Sequence, residues 1–196
     1  MKICAVPRRR FLGVAAATLG LAALSAGSSP VAAQQKPKAS PPVLITSIGQ
    51  SLDAFQVQLA VRRAGVALEY DAHAEPDMLD NVKTLFLAVG ASKKGFGDAG
   101  ITINDELART AHILDAADKK GIFIVVLHMG GEERRDQLSD QLIDLAAPRA
   151  KYLIIRDDSD ADGKFAGIAK AGKIPMDVID NVINLRPLLQ ALFAGV

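Results

Sequence analysis

Three stretches of the chain hold residue types at spacings that could do chemistry. The first is Gly90-Ala91-Ser92-Lys93-Lys94-Gly95-Phe96-Gly97. Its glycines let backbone N–H groups converge, and Ser92, Lys93 and Lys94 add donors and positive charge, a set suited to a carboxylate, sulfonate or phosphate. It is not a P-loop, because Phe96 and Gly97 stand where Lys and Ser or Thr are needed. Without that lysine the β/γ-phosphates lose their partner. Nor is it a short-chain dehydrogenase loop, since it has one residue too many and no Tyr-x-x-x-Lys follows.

The second stretch is His128-Met129-Gly130-Gly131-Glu132-Glu133-Arg134-Arg135. Gly130 and Gly131 permit close backbone approach, Arg134 and Arg135 offer planar forks to a carboxylate, and Glu132 or Glu133 can orient His128 or pair with an arginine. By itself His128 reads first as a core histidine bonded to a carbonyl. The third stretch, Asp158-Ser159-Asp160-Ala161-Asp162-Gly163, copies the first half of a calcium-binding loop. Its second half fails, with Ala169 where a bidentate Glu is required, so Asp158, Asp160 and Asp162 read as an acidic surface turn with at most weak calcium affinity. There is no nucleophile elbow and no His-x-x-x-His or His-Glu-x-x-His, so the familiar hydrolase and zinc readings lack their core residues. No cofactor is expected.

These stretches need elements to position them. Thr84 to Val89 is a continuous apolar run that stops at Gly90, as a parallel strand buried on both faces does. Ile122 to Leu127 repeats the pattern just before His128. Val43-Leu44-Ile45 begins a first strand that leads to Ser47, Gln50 and Ser51, with Ser51 placed to cap a helix whose inner side carries Phe55, Val57, Leu59, Ala60 and Val61. Shorter strands are expected over Val66 to Tyr70, Tyr152 to Ile155 and Met176 to Ile179. Thr102 and Asp105 have the spacing of a capping box. The helix they open is expected to face inward with Leu107, Ala111, Ile113, Leu114 and Ala117 and outward with Arg109, Asp115, Asp118 and Lys119. Alternating strands and helices predict an α/β fold, a single three-layer doubly wound domain on a mostly parallel sheet of five or six strands. A flavodoxin-like order places the first and third strands side by side and sets Ser47, Gln50 and Ser51 next to Gly90 and Ser92 at the point where the winding reverses. A Rossmann-like order is the rival.

Residues 1–33 read as an address label. Lys2, Arg8, Arg9 and Arg10 precede an apolar stretch from Phe11 to Ala26, and Val31-Ala32-Ala33 suits a signal peptidase. Arg8-Arg9-Arg10-Phe11-Leu12 resembles the twin-arginine export signal, with Pro7 and Gly13 departing from it; the general secretory route is the alternative. Gln34 to Pro42 reads as a flexible linker and residues 43–196 as the domain. Four of the 23 basic residues and none of the 22 acidic ones lie in the leader, so the remainder is mildly acidic and offers nothing to nucleic acid. The single cysteine, Cys4, is also in the leader, which leaves the domain without a disulfide or thiolate ligand. No second long apolar stretch follows, and the expected location is the periplasm, with no membrane span after signal removal.

Pro42 to Ser51, the Val89-Gly90-Ala91-Ser92 loop with Gly95-Phe96-Gly97, and Gly130-Gly131-Glu132-x-Arg134-Arg135-x-x-x-Ser139-Asp140 together resemble an uncharacterised family of exported bacterial α/β proteins known as a domain of unknown function. The resemblance implies export and a single α/β domain, and carries over no activity. The expected function is the binding of a small anion at the carboxyl edge of the sheet, with a membrane transporter or another periplasmic protein as its candidate recipient. A periplasmic enzyme using His128 as acid or base, with Ser47 or Ser92 and the arginines fixing its substrate, and a non-catalytic scaffold are the alternatives.

Overall fold

A computed structural model describes Met1 and residues 37–195. Residues 2–33 of the expected leader therefore lie outside the described residues. Six strands, β1 (Val43–Ile48), β2 (Leu68–Tyr70), β3 (Thr84–Val89), β4 (Phe123–His128), β5 (Tyr152–Arg156) and β6 (Met176–Ile179), pair in parallel in the order β2-β1-β3-β4-β5-β6. This is the flavodoxin-like order with one strand added at the far edge, and β1 and β3 are neighbours along their whole length.

Apolar residues alternate between two cores with the period of two that a strand imposes. Leu85, Leu87, Ile124, Val126, Leu153 and Ile155 face one layer; Phe86, Ala88, Val125, Leu127, Tyr152 and Ile154 face the other. The first layer is closed by α2 (Lys93–Ala99), α3 (Ile103–Lys120), α4 (Gln137–Ala146) and α5 (Lys164–Gly172), through Phe96, Ile113, Leu114, Leu142, Ile143 and Phe165. The second is closed by α1 (Asp53–Arg63) and α6 (Leu185–Leu192), through Ala54, Val57, Val61, Leu185 and Leu189. Among the described residues no helix is long and apolar enough to cross a membrane.

Four expectations change. Residues Lys38–Pro42 are not a free tether: Ala39 is buried and donates its N–H to Leu192 O (3.0 Å), and Thr84 Oγ1 donates to Ser40 O (2.8 Å). An extended, proline-rich run leaves its other backbone groups unpaired, and here α6 and β3 supply the partners. Phe55 and Leu59 do not face the core; they are 48% and 37% exposed on the outer side of α1, and Leu59 shares a groove with Ile183. The glycine-rich loop is largely a helix, since Lys93–Ala99 forms α2, with Ser92 as its N-cap (Ser92 Oγ accepts from Gly95 N–H at 3.1 Å) and Gly100 ending it at φ 67°. Finally Arg109, expected outside, is buried. The capping box of α3 forms as predicted, with Thr102 Oγ1 accepting from Asp105 N–H (3.3 Å) and Asp105 Oδ2 from Thr102 N–H (2.8 Å).

Candidate functional site

The carboxyl ends of β1 and β3 are tied together by backbone. Gly90 N–H donates to Ile48 O and Ser92 N–H to Gly49 O, both at 2.8 Å, and Gln50 forms an antiparallel bridge with Ala91. Only glycine fits at position 49: its φ is 107°, and a Cβ there would lie 2.4 Å from Gly90 O. The turn rests on an ion pair that local spacing conceals. Glu106 and Arg109, one turn apart on α3, are buried at 0% and 9% exposure. Arg109 donates from Nε and Nη2 to the two Glu106 oxygens (2.9 and 2.8 Å), from Nη1 to Ala74 O (2.8 Å), and from Nη2 to Ser47 O. Glu106 Oε1 accepts from Gly49 N–H (2.7 Å) and Gln50 Nε2 (3.2 Å). Between them the pair holds Ser47 O, Gly49 N–H and Gln50 around the turn after β1 and Ala74 O of the segment after β2, so its polar atoms are met, the condition under which a buried pair is tolerated.

Above this edge opens a cleft of about 520 Å³ lined by Gln50, Leu52, Ala91, Ser92, Lys93, Lys94, Gly95, Asp98, Glu133, Arg134 and Asp136. Three separate loops meet there, and Ala91 is anchored from a fourth direction, its N–H donating to the buried Ser139 Oγ of α4 (3.0 Å). Lys93 and Lys94 are exposed on the first turn of α2. Arg134 spans from the Gly130 turn to Ala91 O, a long contact of 3.4 Å. Among the described residues none of these three cations pairs with a carboxylate, whereas Asp136 is engaged as the N-cap of α4 by Ser139 N–H (2.8 Å). A second groove of about 340 Å³, between α1 and the turn before α6, is lined by Leu59, Ala60, Val182 and Ile183 with Arg63 and Arg186, and holds no acid–base or nucleophilic group.

The other expected site residues divide between floor and scaffold. Ser47 is buried, and its hydroxyl donates to Ser51 O (3.4 Å). Ser51 is buried too, its Oγ accepting from Asp53 N–H (3.3 Å). Gly90 and Gly130 lie against Asp53, at 3.2 and 2.8 Å from a built Cβ to Asp53 Oδ2. Gly131 packs against Arg156. Gly97 sits on the outer side of α2, away from the cleft, and Glu132 is exposed and does not line it. Arg135 is not free for a ligand. It pairs with Asp140 (3.0 Å) and Asp162 (2.6 Å), donates to Ser159 O, and lies 5.5 Å from the Phe165 ring centroid.

That arrangement also disposes of the calcium loop. Asp162 is held by Arg135, Asp158 by Arg156 (2.5 Å), and Asp160 accepts from Phe165 and Ala166 N–H at the start of α5 (2.7 and 3.0 Å). The three carboxylates serve three different partners, and Arg135 keeps the Asp162 carboxyl at about 2, well below the usual carboxylate value.

His128, at the end of β4, is fully buried, its ring centroid 5.4 Å from that of Phe165. Its Nδ1–H donates to Val89 O at 2.7 Å, as its reading as a core histidine expects. Burial pushes its pKa below the ordinary 6.5, against the opposing pull of the Val89 carbonyl, the Asp53 carboxylate and the Gly131 backbone. The folded protein thus refuses a proton that the unfolded chain accepts. Stability is unaffected by this group above pH 6.5 and falls as the pH drops below it. His128→Asn, which keeps an N–H for Val89 O, is expected to flatten that part of the acid limb; urea titrations between about pH 7 and pH 5 read the slope independently of any change in absolute stability. Sequence reasoning passed over Asp53, buried in the first turn of α1 against Gly90 and Gly130, because one carboxylate in a helix's first turn usually reads as a response to the helix dipole.

Comparisons with known proteins place the chain without assigning an activity. No curated protein matches it. One solved structure, the crystal structure of a GDSL-like lipase from Bacteroides thetaiotaomicron, is similar over 69% of this chain and 66% of that one, at 10% identity and a TM-score of 0.34. The chain thus spans just under two thirds of that protein's length, a likeness too loose to transfer a residue or a reaction. The family described as a domain of unknown function (DUF6305) matches residues 40–193, which takes in every strand of the sheet and all three loops of the cleft, and the chain belongs to that family.

Proposed function

We propose that this is an exported periplasmic protein that binds a small anion, a carboxylate, sulfonate or phosphate, in the cleft over β1 and β3, as an accessory to transport. The observation that carries this reading is the trio Lys93, Lys94 and Arg134, which share one cleft with no carboxylate partner among the described ion pairs. Unpaired cations on a rigid sheet edge, at a switch point of the winding, are where α/β proteins hold anions. A ligand at a hundred times its Kd adds about 2.7 kcal/mol, several degrees in melting temperature. A thermal-shift screen of carboxylates, sulfonates and phosphates is expected to find such a stabiliser, and Lys93→Ala/Lys94→Ala or Arg134→Ala to remove the shift without lowering the unliganded melting point by more than a degree or two. No stabiliser in the screen would leave the scaffold reading. The enzyme reading has one observation in its favour, a buried histidine whose Nε2 has no hydrogen-bond partner among the described residues, and requires turnover that disappears in His128→Ala.

A further inference from the structure

The groove between α1 and the turn before α6 is walled by apolar side chains that the fold leaves open. Leu59 is 37% and Ile183 75% exposed, and both line it. An exposed leucine or isoleucine alone needs no explanation, but these two come from opposite ends of the domain to one hollow of about 340 Å³, a volume within the small-molecule range. Both positions are fixed by the backbone around them. Val182 packs inward on the second core, so Ile183 beside it is turned out. The turn is held by Asn181 Oδ1, which accepts from Ile183 N–H (3.0 Å), and by Asn184 Nδ2, which donates to Asp180 Oδ1. Leu59 is turned out because Val57, Ala60 and Val61 take the buried face of α1. Ala60, at 8% exposure, is the groove's floor, and its single methyl leaves the room.

The charge at this groove has one sign. Arg63 in the last turn of α1 and Arg186 in the first turn of α6 line it, no carboxylate does, and neither arginine belongs to a described ion pair. Cations without an acid call for an anion and apolar walls call for hydrocarbon, so complementarity selects a molecule with one negative end and an apolar body. A second copy of this chain does not supply that. A two-fold pairing of the same face would bring the arginines of both copies to one groove with no acid between them. Along α1 the groove runs from Gln56 to Arg63, two turns or about 10 Å, the reach of a medium-length hydrocarbon chain.

We propose that this groove is a second binding site, sharing no lining residue with the cleft over β1 and β3, and that it takes a free medium-chain fatty acid. The tail lies over Ala60 between Leu59 and Ile183, and the carboxylate pairs with Arg63 and Arg186. The lining holds no general acid, base or nucleophile, so the site holds its ligand and does not convert it. This inference goes beyond the anion-binding reading of the cleft and stands or falls on other side chains.

Calorimetric titration of the protein with hexanoate, octanoate and decanoate, each below its micellar concentration, tests it. Each step of two methylenes is expected to tighten binding about tenfold, the worth of burying them, with one molecule bound per protein. Arg63→Ala and Arg186→Ala are each expected to weaken octanoate about threefold to fivefold and to leave octanol unchanged. Leu59→Ser with Ile183→Ser is expected to cut the gain per step to about twofold or less. Its melting temperature should stay within about two degrees of wild type, because both side chains are already exposed. Lys93→Ala with Lys94→Ala should leave the whole series intact. If that double substitution removes octanoate binding while the arginine variants keep it, the fatty acid belongs to the cleft; this inference then falls and the anion-binding reading stands. Affinity that does not rise with chain length overturns it. A protein that binds none of the free acids overturns it too, whether or not phosphatidylglycerol vesicles or an acidic amphipathic peptide retain it.

Discussion

Arg109→Met is expected to cost about 3–5 kcal/mol in urea denaturation, more than any surface ion pair in the molecule could. The methionine fills the volume of the arginine stem but leaves Glu106 charged at 0% exposure. It also removes the donors that hold Ser47 O and Ala74 O. Glu106→Gln should cost a similar amount by stranding the guanidinium. The double substitution, Glu106→Gln with Arg109→Met, should cost less than the two singles together by about 2 kcal/mol or more, because no uncompensated charge remains in it. Arg149→Met is the control: its pairs with Asp115 and Asp118 are partly exposed, and its loss should stay near or below about 1 kcal/mol. The same experiment bears on the cleft. Glu106 positions Gly49 N–H and Gln50, so a protein that survives Arg109→Met should bind its ligand more weakly although neither residue lines the cleft.

Two glycines of α2, two residues apart, should respond to alanine with opposite sign. Gly97→Ala is expected to stabilise by about 0.5–1 kcal/mol, because a Cβ there meets nothing within 4 Å and alanine is the better helix former. Gly95→Ala gains the same propensity but places its Cβ 2.1 Å from Gln50 O and 3.0 Å from Gln50 Cβ. Backbone oxygen cannot step aside as a flexible side chain does, so α2 must shift away from the turn after β1. Overpacking of this kind costs about 1–3 kcal/mol and outweighs the propensity gain. Net destabilisation by Gly95→Ala, with weaker ligand binding, would show that the contact between α2 and the Gln50 turn is needed for the cleft. If Gly95→Ala stabilised as Gly97→Ala does, α2 would be free of that turn.

What could be read directly from the chain was whatever local order encodes. The apolar runs Thr84–Val89 and Ile122–Leu127 each stop at the start of a loop, and they became β3 and β4 at the centre of the sheet. The Thr102–Asp105 spacing became a formed capping box, since both partners lie within one turn. Strand and helix alternation with right-handed crossovers then narrowed the topology to two, and the flavodoxin-like order is the one adopted. Convergence of the loops at Ser47, Gly90 and Arg134 followed from that order.

The roles of individual side chains were decided by partners far away in the chain. Arg134 and Arg135 are adjacent and chemically identical, yet Arg134 lines the cleft while Arg135 is taken by Asp162, 27 residues on. Phe55 had the spacing of a core residue, but Asp53, Ala54, Val57 and Val61 claim the buried face of α1 and turn it outward. Arg109 looked like a solvated position because its helix presents polar neighbours; it is buried because Ser47 O and Ala74 O come to it from other segments. Whether a polar group is unpartnered, as Asp53 Oδ2 and His128 Nε2 are, is a property of everything packed around it. Periodicity and capping act over a turn or two and leave a trace in residue order, whereas desolvation and hydrogen-bond supply are set by three-dimensional neighbours and leave none.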